Sequence, residues 1–248
     1  MTEDTLIVSN WKMNLNIGNA NKLINSIIKL NLPKSKKIKN IICPQFLLIP
    51  FISRLIVNKD ITLGSQDCHF EKEGAFTGDT SVELIKYFKC KYIILGHSER
   101  RNFYFEKNKI IKKKVEIALK AGLIPIICIG ESFIERKKNY IKVLSKQLEE
   151  CVPDKLNKTI VIAYEPIWSI GSGVTPTYDE ILKVKEHISE FLMKKKNISD
   201  VKVLYGGSVS SKNFSEIMIN TGVNGALIGS ASIDLRQINK ILSYCYFD

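Results

Sequence analysis

YIILGHSERRNFYFEKNKIIKKKVEIALKAGLIPIICIG, residues 92–130, reads as one strand, one helix and the next strand. Its opening run, YIILGH (92–97), and its closing run, IPIICIG (124–130), are nearly continuous in apolar residues. Each is too short for a helix and is bounded by Gly, Pro or polar residues, as expected of a strand in a parallel sheet covered by helices. Between them, residues 109–121 set Ile110, Ile111, Val115, Ala118 and Leu119 on one side of a helix, and Gly122 follows where a C-terminal cap belongs.

The same unit recurs along the chain. LIVSN (6–10), NIICP (40–44), ITLGSQ (61–66), TIVIAYE (159–165), VKVLYGG (201–207) and GALIGSA (225–231) are further strand-like runs. Helical spacing returns in residues 19–30, through Leu23, Ile24, Ile27, Ile28 and Leu30, and in residues 178–195. Eight strand–helix units in 248 residues predict an α/β fold of the (β/α)8 TIM-barrel type. The eight parallel strands form a single domain over residues 1–248, because no shift of composition marks a boundary. A doubly wound sheet would announce a dinucleotide site with GxGxxG after its first strand, where this chain has Asn10-Trp11-Lys12.

The chain is 45% hydrophobic, enough to build a core. Its longest apolar stretch, Ile41 to Ile52, is broken by Pro44, Gln45 and Pro50, short of the ~20 residues a membrane-spanning helix needs, so no membrane association is expected. MTEDTLIVSN carries no basic segment ahead of its apolar run, which argues against a secretory signal and for a cytoplasmic protein. The formal charge is +12. Apart from Arg54, Arg100, Arg101, Arg136 and Arg236 the basic residues are lysines, spread over the whole chain. That distribution reads as a solvated surface rather than a nucleic-acid footprint, although it draws anionic small substrates. Cys43, Cys68, Cys90, Cys128, Cys151 and Cys245 form no CxxC pair and no His stands at zinc-ligand spacing, so reduced thiols and no metal are expected.

Barrel chemistry sits at the C-terminal ends of the strands. Those ends carry Asn10 and Lys12, Gln66, Gly96-His97-Ser98-Glu99, Cys128 and Glu131, Glu165, Gly206-Gly207-Ser208, and Gly229-Ser230. The last two are Gly-rich, which lets backbone N–H groups approach a phosphate, although such pairs also occur in ordinary tight turns. His97 stands where a helix begins, with Ser98 suited to cap it; a helix N-terminus disfavours positive charge and keeps an imidazole neutral. His69 reads as loop and His187 as helix surface. Glu165 follows an apolar run and serves either as half of a structural ion pair or as a base whose pKa burial raises. Lys12 is a surface lysine or an ammonium facing an anion in the barrel mouth. Pro166-Ile167-Trp168-Ser169-Ile170-Gly171-Ser172-Gly173-Val174-Thr175-Pro176 is either a plain loop or a lid that excludes water from a reactive intermediate.

Taken together, N-W-K-M-N (10–14), G-A-F-T-G-D (74–79), G-H-S-E-R-R (96–101), A-Y-E-P-I-W (163–168), I-G-S-G (170–173), Y-G-G-S-V (205–209) and G-A-L-I-G-S-A (225–231) resemble the triosephosphate isomerase family over essentially the whole chain. The resemblance implies interconversion of dihydroxyacetone phosphate and glyceraldehyde 3-phosphate through an enediolate, without metal or organic cofactor. It implies Glu165 as the base, His97 as the group that polarises the carbonyl, and Lys12 with Asn10 as support for negative charge, Glu99 backing Lys12. Asn10 and Lys12 would also contact substrate, with Gly171, Ser208, Gly229 and Ser230 around the phosphate. It further implies a homodimer in which the segment 67–80 reaches the partner subunit, the contact using Phe76, Thr77, Asp79 and Arg100.

Some positions depart from the commonest family pattern. Ser169 and Ser172 stand where Ala and Thr are usual, Val174 where Lys is frequent, and Ser230 where Gly or Asn is usual. Asp79 replaces Glu as a partner for Arg100. Pro176 replaces an Ala whose N–H helps latch the closed lid to the tyrosine at the position of Tyr205; Pro has no N–H, so Gly173 N–H to Ser208 is expected to take over. Two rivals remain: an aldolase using Lys12 as a Schiff base, and a basic binding module without catalysis.

Overall fold

A computed structural model describes residues 5–32, 38–154 and 159–247. Residues 1–4, part of the stretch read as arguing against a secretory signal, lie outside them. The apolar runs form strands β1 (Thr5–Asn10), β2 (Ile38–Cys43), β3 (Thr62–Ser65), β4 (Tyr92–Leu95), β5 (Ile124–Ile129), β6 (Ile160–Tyr164), β7 (Val201–Tyr205) and β8 (Gly225–Ile228). Each pairs in parallel with the next, and β1 pairs with β8, closing the barrel. At the seam Ile7 lies opposite both Asn40 and Ala226.

Alternation along each strand divides the apolar residues between two layers. Val8, Ile41, Ile94, Ile126, Val161, Leu204 and Leu227 are among those that fill the barrel interior. Ile7, Ile42, Ile93, Ile127, Ile162 and Val203 face the surrounding helices. Both strand faces are covered, which is why the runs look continuous rather than alternating.

The helices are α1 (Ile17–Lys29), α2 (Ile49–Leu55), α3 (Val82–Tyr87), α4 (Ser98–Phe103), α5 (Asn108–Lys120), α6 (Phe133–Cys151), α7 (Tyr178–Lys196), α8 (Phe214–Thr221) and α9 (Leu235–Phe247). Ser132 with Glu135 and Thr177 with Glu180 form capping boxes that start α6 and α7. Gly122, at φ 84°, follows the last turn of α5, as its spacing predicts.

Two local expectations are corrected. The cap of α4 is His97, whose ring accepts the Glu99 amide, and Ser98 is the first residue inside the helix. β4 stops at Leu95 because Gly96 turns at φ 70°, and this turn brings the imidazole to the capping position. His187 is half-buried, with Nε2 2.9 Å from Ser145 Oγ on α6, rather than free on the surface of α7.

Candidate active site

The rim begins with a strained residue. Lys12, just past β1, has φ 51°, a left-handed conformation that costs a non-glycine residue about 1–3 kcal/mol. Asn10 Oδ1 accepts the Lys12 amide at 3.0 Å. Gln66 Nε2 donates to the carbonyls of Lys12 at 2.8 Å and Cys43 at 2.9 Å. Held in this way, Lys12 Nζ lies 2.6 Å from Glu99 Oε1, on the first turn of α4.

His97 Nε2 lies 3.0 Å from Glu165 Oε1, and both side chains are buried. The second Glu165 oxygen, Oε2, accepts the Ser98 amide at 3.1 Å. Gly206 leaves room for this carboxylate, since a Cβ there would fall 2.9 Å from Glu165 Cγ. Burial by itself would raise the carboxyl pKa, but the His97 ring, the Ser98 amide and the Cys128 thiol outweigh it and hold Glu165 below its usual value. The direction is opposite to the one the sequence suggests, because an apolar run discloses burial and not the three donors that converge from the cap of α4, its first residue and β5.

For His97 the balance also differs from expectation. Burial lowers its pKa, yet the Glu165 and Glu99 carboxylates lift it above the usual value. The helix start still governs where protons go. The Glu99 amide donates to Nδ1 at 3.2 Å, so that nitrogen presents its lone pair and Nε2 carries the hydrogen toward Glu165.

Asn10, Lys12, His97, Glu165, Gly171, Ser208, Gly229 and Ser230 all line one cavity of about 480 Å³ at the C-terminal rim. Glu99 lines a smaller neighbouring hollow of about 150 Å³, shared with Lys12, His97, Gln66 and Arg100. The segment 166–176 borders the main cavity through Ile170, Gly171 and Gly173, the two glycines at φ 68° and 76°. At its base, buried Glu131 accepts from Trp168 Nε1 at 2.9 Å and Tyr164 Oη at 3.1 Å. Gly173 N–H donates to Ser208 Oγ at 3.3 Å, the contact expected once Pro176 removes the other.

Phe76, Thr77 and Asp79 are exposed on the excursion between β3 and α3, where the His69, Phe70 and Phe76 rings pack together. Within one chain Asp79 faces His69 Nε2 at 3.8 Å, while Arg100 is held by Asp67 at 2.8 Å and Glu106 at 2.6 Å. Sequence reasoning placed Gln66 at the rim without a role and passed over the Ser98 amide altogether, since a backbone donor leaves no mark in composition. Among the described residues no group of three His, Cys, Asp or Glu side chains is arranged to hold a metal ion.

A family model described as triosephosphate isomerase matches residues 5–245. The chain belongs to the triosephosphate isomerase family. The triosephosphate isomerase of Aquifex aeolicus (strain VF5) is 37% identical over 96% of this chain and 98% of its own length. That of Wolbachia pipientis wMel is 43% identical over 96% of this chain and 92% of its own. The crystal structure of triosephosphate isomerase from Bartonella henselae superposes with a TM-score of 0.84 at 34% identity, covering 96% of this chain and 98% of that one. Triosephosphate isomerases interconvert dihydroxyacetone phosphate and glyceraldehyde 3-phosphate in glycolysis. The chain is therefore an isomerase of the TIM-barrel class.

Proposed function

We propose that the chain carries out its family's reaction in the rim cavity, with Glu165 as the base. The observation that supports this most is the convergence of a carboxylate, an Nε2–H imidazole and an ammonium on one cavity with glycine-rich strand ends. Bound substrate replaces Glu165 as the acceptor of the His97 Nε2–H. The carboxylate then leaves the Ser98 amide and removes a proton from the carbon beside the carbonyl. Away from these donors burial dominates, and its pKa rises toward that of an effective base. His97 polarises the carbonyl oxygen and passes protons between the two oxygens of the intermediate. Lys12, steadied by Glu99, offsets the negative charge, with Asn10 beside it. Gly171, Ser208, Gly229 and Ser230 hold the phosphate, mainly through backbone N–H groups. No metal or organic cofactor takes part, because the carbonyl already acidifies the neighbouring C–H.

Purified chain given glyceraldehyde 3-phosphate should form dihydroxyacetone phosphate, read by a coupled reductase, and a phosphate-bearing enediolate mimic should compete with substrate. Folded protein that forms no ketose would overturn the reading.

His97→Gln should lose most turnover and keep its fold. His97 is the largest influence holding Glu165 low, so its loss raises that pKa. The acid limb of kcat/KM, which reports the free enzyme, should then move to higher pH. A limb that stays put or moves to lower pH contradicts the assigned pair.

The chain is further proposed to act as a single barrel domain, in the cytoplasm, as a homodimer. All six cysteines are free and buried, which suits a reducing compartment. No helix among the described residues is long and apolar enough to cross a membrane. Met13, 88% exposed, lines the smaller hollow, where Thr77 of a second copy would enter, and Phe76 is exposed on the same excursion as Thr77. Phe76→Asp should shift the sedimenting mass from two chains toward one; an unchanged mass, or a parent chain that already sediments singly, counts against the dimer.

A further inference from the structure

One buried hydroxyl on the lid has every hydrogen-bonding site occupied. Ser169 is fully buried. Its Oγ donates to Val174 O at 2.6 Å. A hydroxyl has one hydrogen, so its remaining contacts are accepted ones. They come from the Ser208 amide at 3.3 Å and from Tyr205 Oη at 3.2 Å, which fixes Tyr205 as the donor. The Ser169 carbonyl in turn accepts Ser208 Oγ–H at 2.6 Å, and Gly173 N–H donates to that same Ser208 oxygen. The barrel side of the cluster has no space to spare, since a Cβ on Gly207 would lie 2.2 Å from Tyr205 Oη and 2.8 Å from Ser169 Oγ.

The arrangement ties three points together: the start of the lid at Ser169, its far side at Val174, and the end of β7 at Tyr205 with Ser208 just beyond. Pro176 offers Tyr205 no N–H. The sequence counts Ser169 as a mild replacement for Ala, but its hydroxyl is the group that Tyr205 Oη–H meets. We infer that Ser169 is the lid latch of this chain, a positioning residue whose hydroxyl holds the lid over the phosphate pocket. This rests on the proposed isomerase chemistry only for its consequence in turnover. If the lid opens over an enediolate, the intermediate's electron pair expels the phosphate: the C–O bond breaks, inorganic phosphate leaves, and the remaining enol tautomerises to a ketoaldehyde.

Two readouts test the latch. In ligand-free protein, Ser169→Ala should speed amide hydrogen exchange at Gly173 and Ser208 by about tenfold, the order expected when the hydroxyl's three hydrogen bonds are lost. In turnover the same variant should raise the ratio of inorganic phosphate to isomer by a similar factor. Tyr205→Phe should act in the same direction, and the double variant should go no further than the stronger single one, because Ser169→Ala already removes the contact that Tyr205→Phe breaks. Unchanged exchange in Ser169→Ala, or effects of the two substitutions that simply multiply, would overturn the latch. Parent protein that neither isomerises nor releases phosphate would count against the proposed reaction, while exchange at the two amides would still decide the latch.

Discussion

Glu165→Asp is expected to lower kcat about a hundredfold while KM stays near that of the parent chain. The substitution keeps the charge and shortens the side chain by one methylene. The backbone cannot follow, because the Glu165 amide is bound to Ile129 O at 2.7 Å and Gly206 N–H to Tyr164 O at 2.8 Å on the adjoining strand. The carboxylate therefore retracts from the cavity by roughly 1 Å, a displacement that costs about 10²-fold when a base must meet a carbon-bound proton in line. The groups around the phosphate are untouched, so ground-state binding should hold and the loss should appear in kcat. Steady-state kinetics in both directions measure the split. A kcat within threefold of the parent, or a KM that rises as kcat falls, removes Glu165 from the role of base.

The barrel and the rim are legible in the sequence for related physical reasons. Strands covered on both faces leave uninterrupted apolar runs, and polar residues at the C-terminal end of such runs, such as Glu165 and His97, stand out. What stays hidden depends on partners distant in the chain. The left-handed Lys12 is held by Gln66, fifty-four residues away. The direction of Glu165 titration depends on the Ser98 amide, sixty-seven residues away. The break between α4 and α5 falls at Phe105, a non-glycine residue at φ 54° with no Gly or Pro to announce it. Ser169 shows why residue type alone misleads: as a replacement for Ala it looks neutral, and only the fold brings Val174, Tyr205 and Ser208 to its hydroxyl.

Lys114→Met should destabilise the fold by about 3–5 kcal/mol at neutral pH. Lys114 is buried on α5, with Nζ 2.8 Å from both Asp67 oxygens and 2.6 Å from Glu106 Oε1. Arg100 completes the group through Nε, 2.8 Å from Asp67 and 2.6 Å from Glu106, so two cations balance two carboxylates. Without Lys114 one buried carboxylate charge is left uncompensated, and an unpaired charge in the interior costs several kcal/mol. Burial already pushes Asp67 up to about 6, with Lys114 the strongest opposing influence, so the substitution raises it further. A carboxyl whose folded pKa lies above its unfolded value contributes stability at low pH that is lost as pH rises through the folded pKa. The deficit of the variant should therefore be largest near pH 8 and shrink toward pH 5, where Asp67 takes up a proton. Adding Asp67→Asn should recover part of the loss by removing the charge outright. Urea unfolding across this range measures each case, and a deficit that is constant with pH, or that grows on acidification, would mean the cluster is not held by balanced charge. The site depends on it too: Asp67 directly follows Gln66, and Arg100 lies on α4 beside Glu99, so the cluster anchors both supports of Lys12.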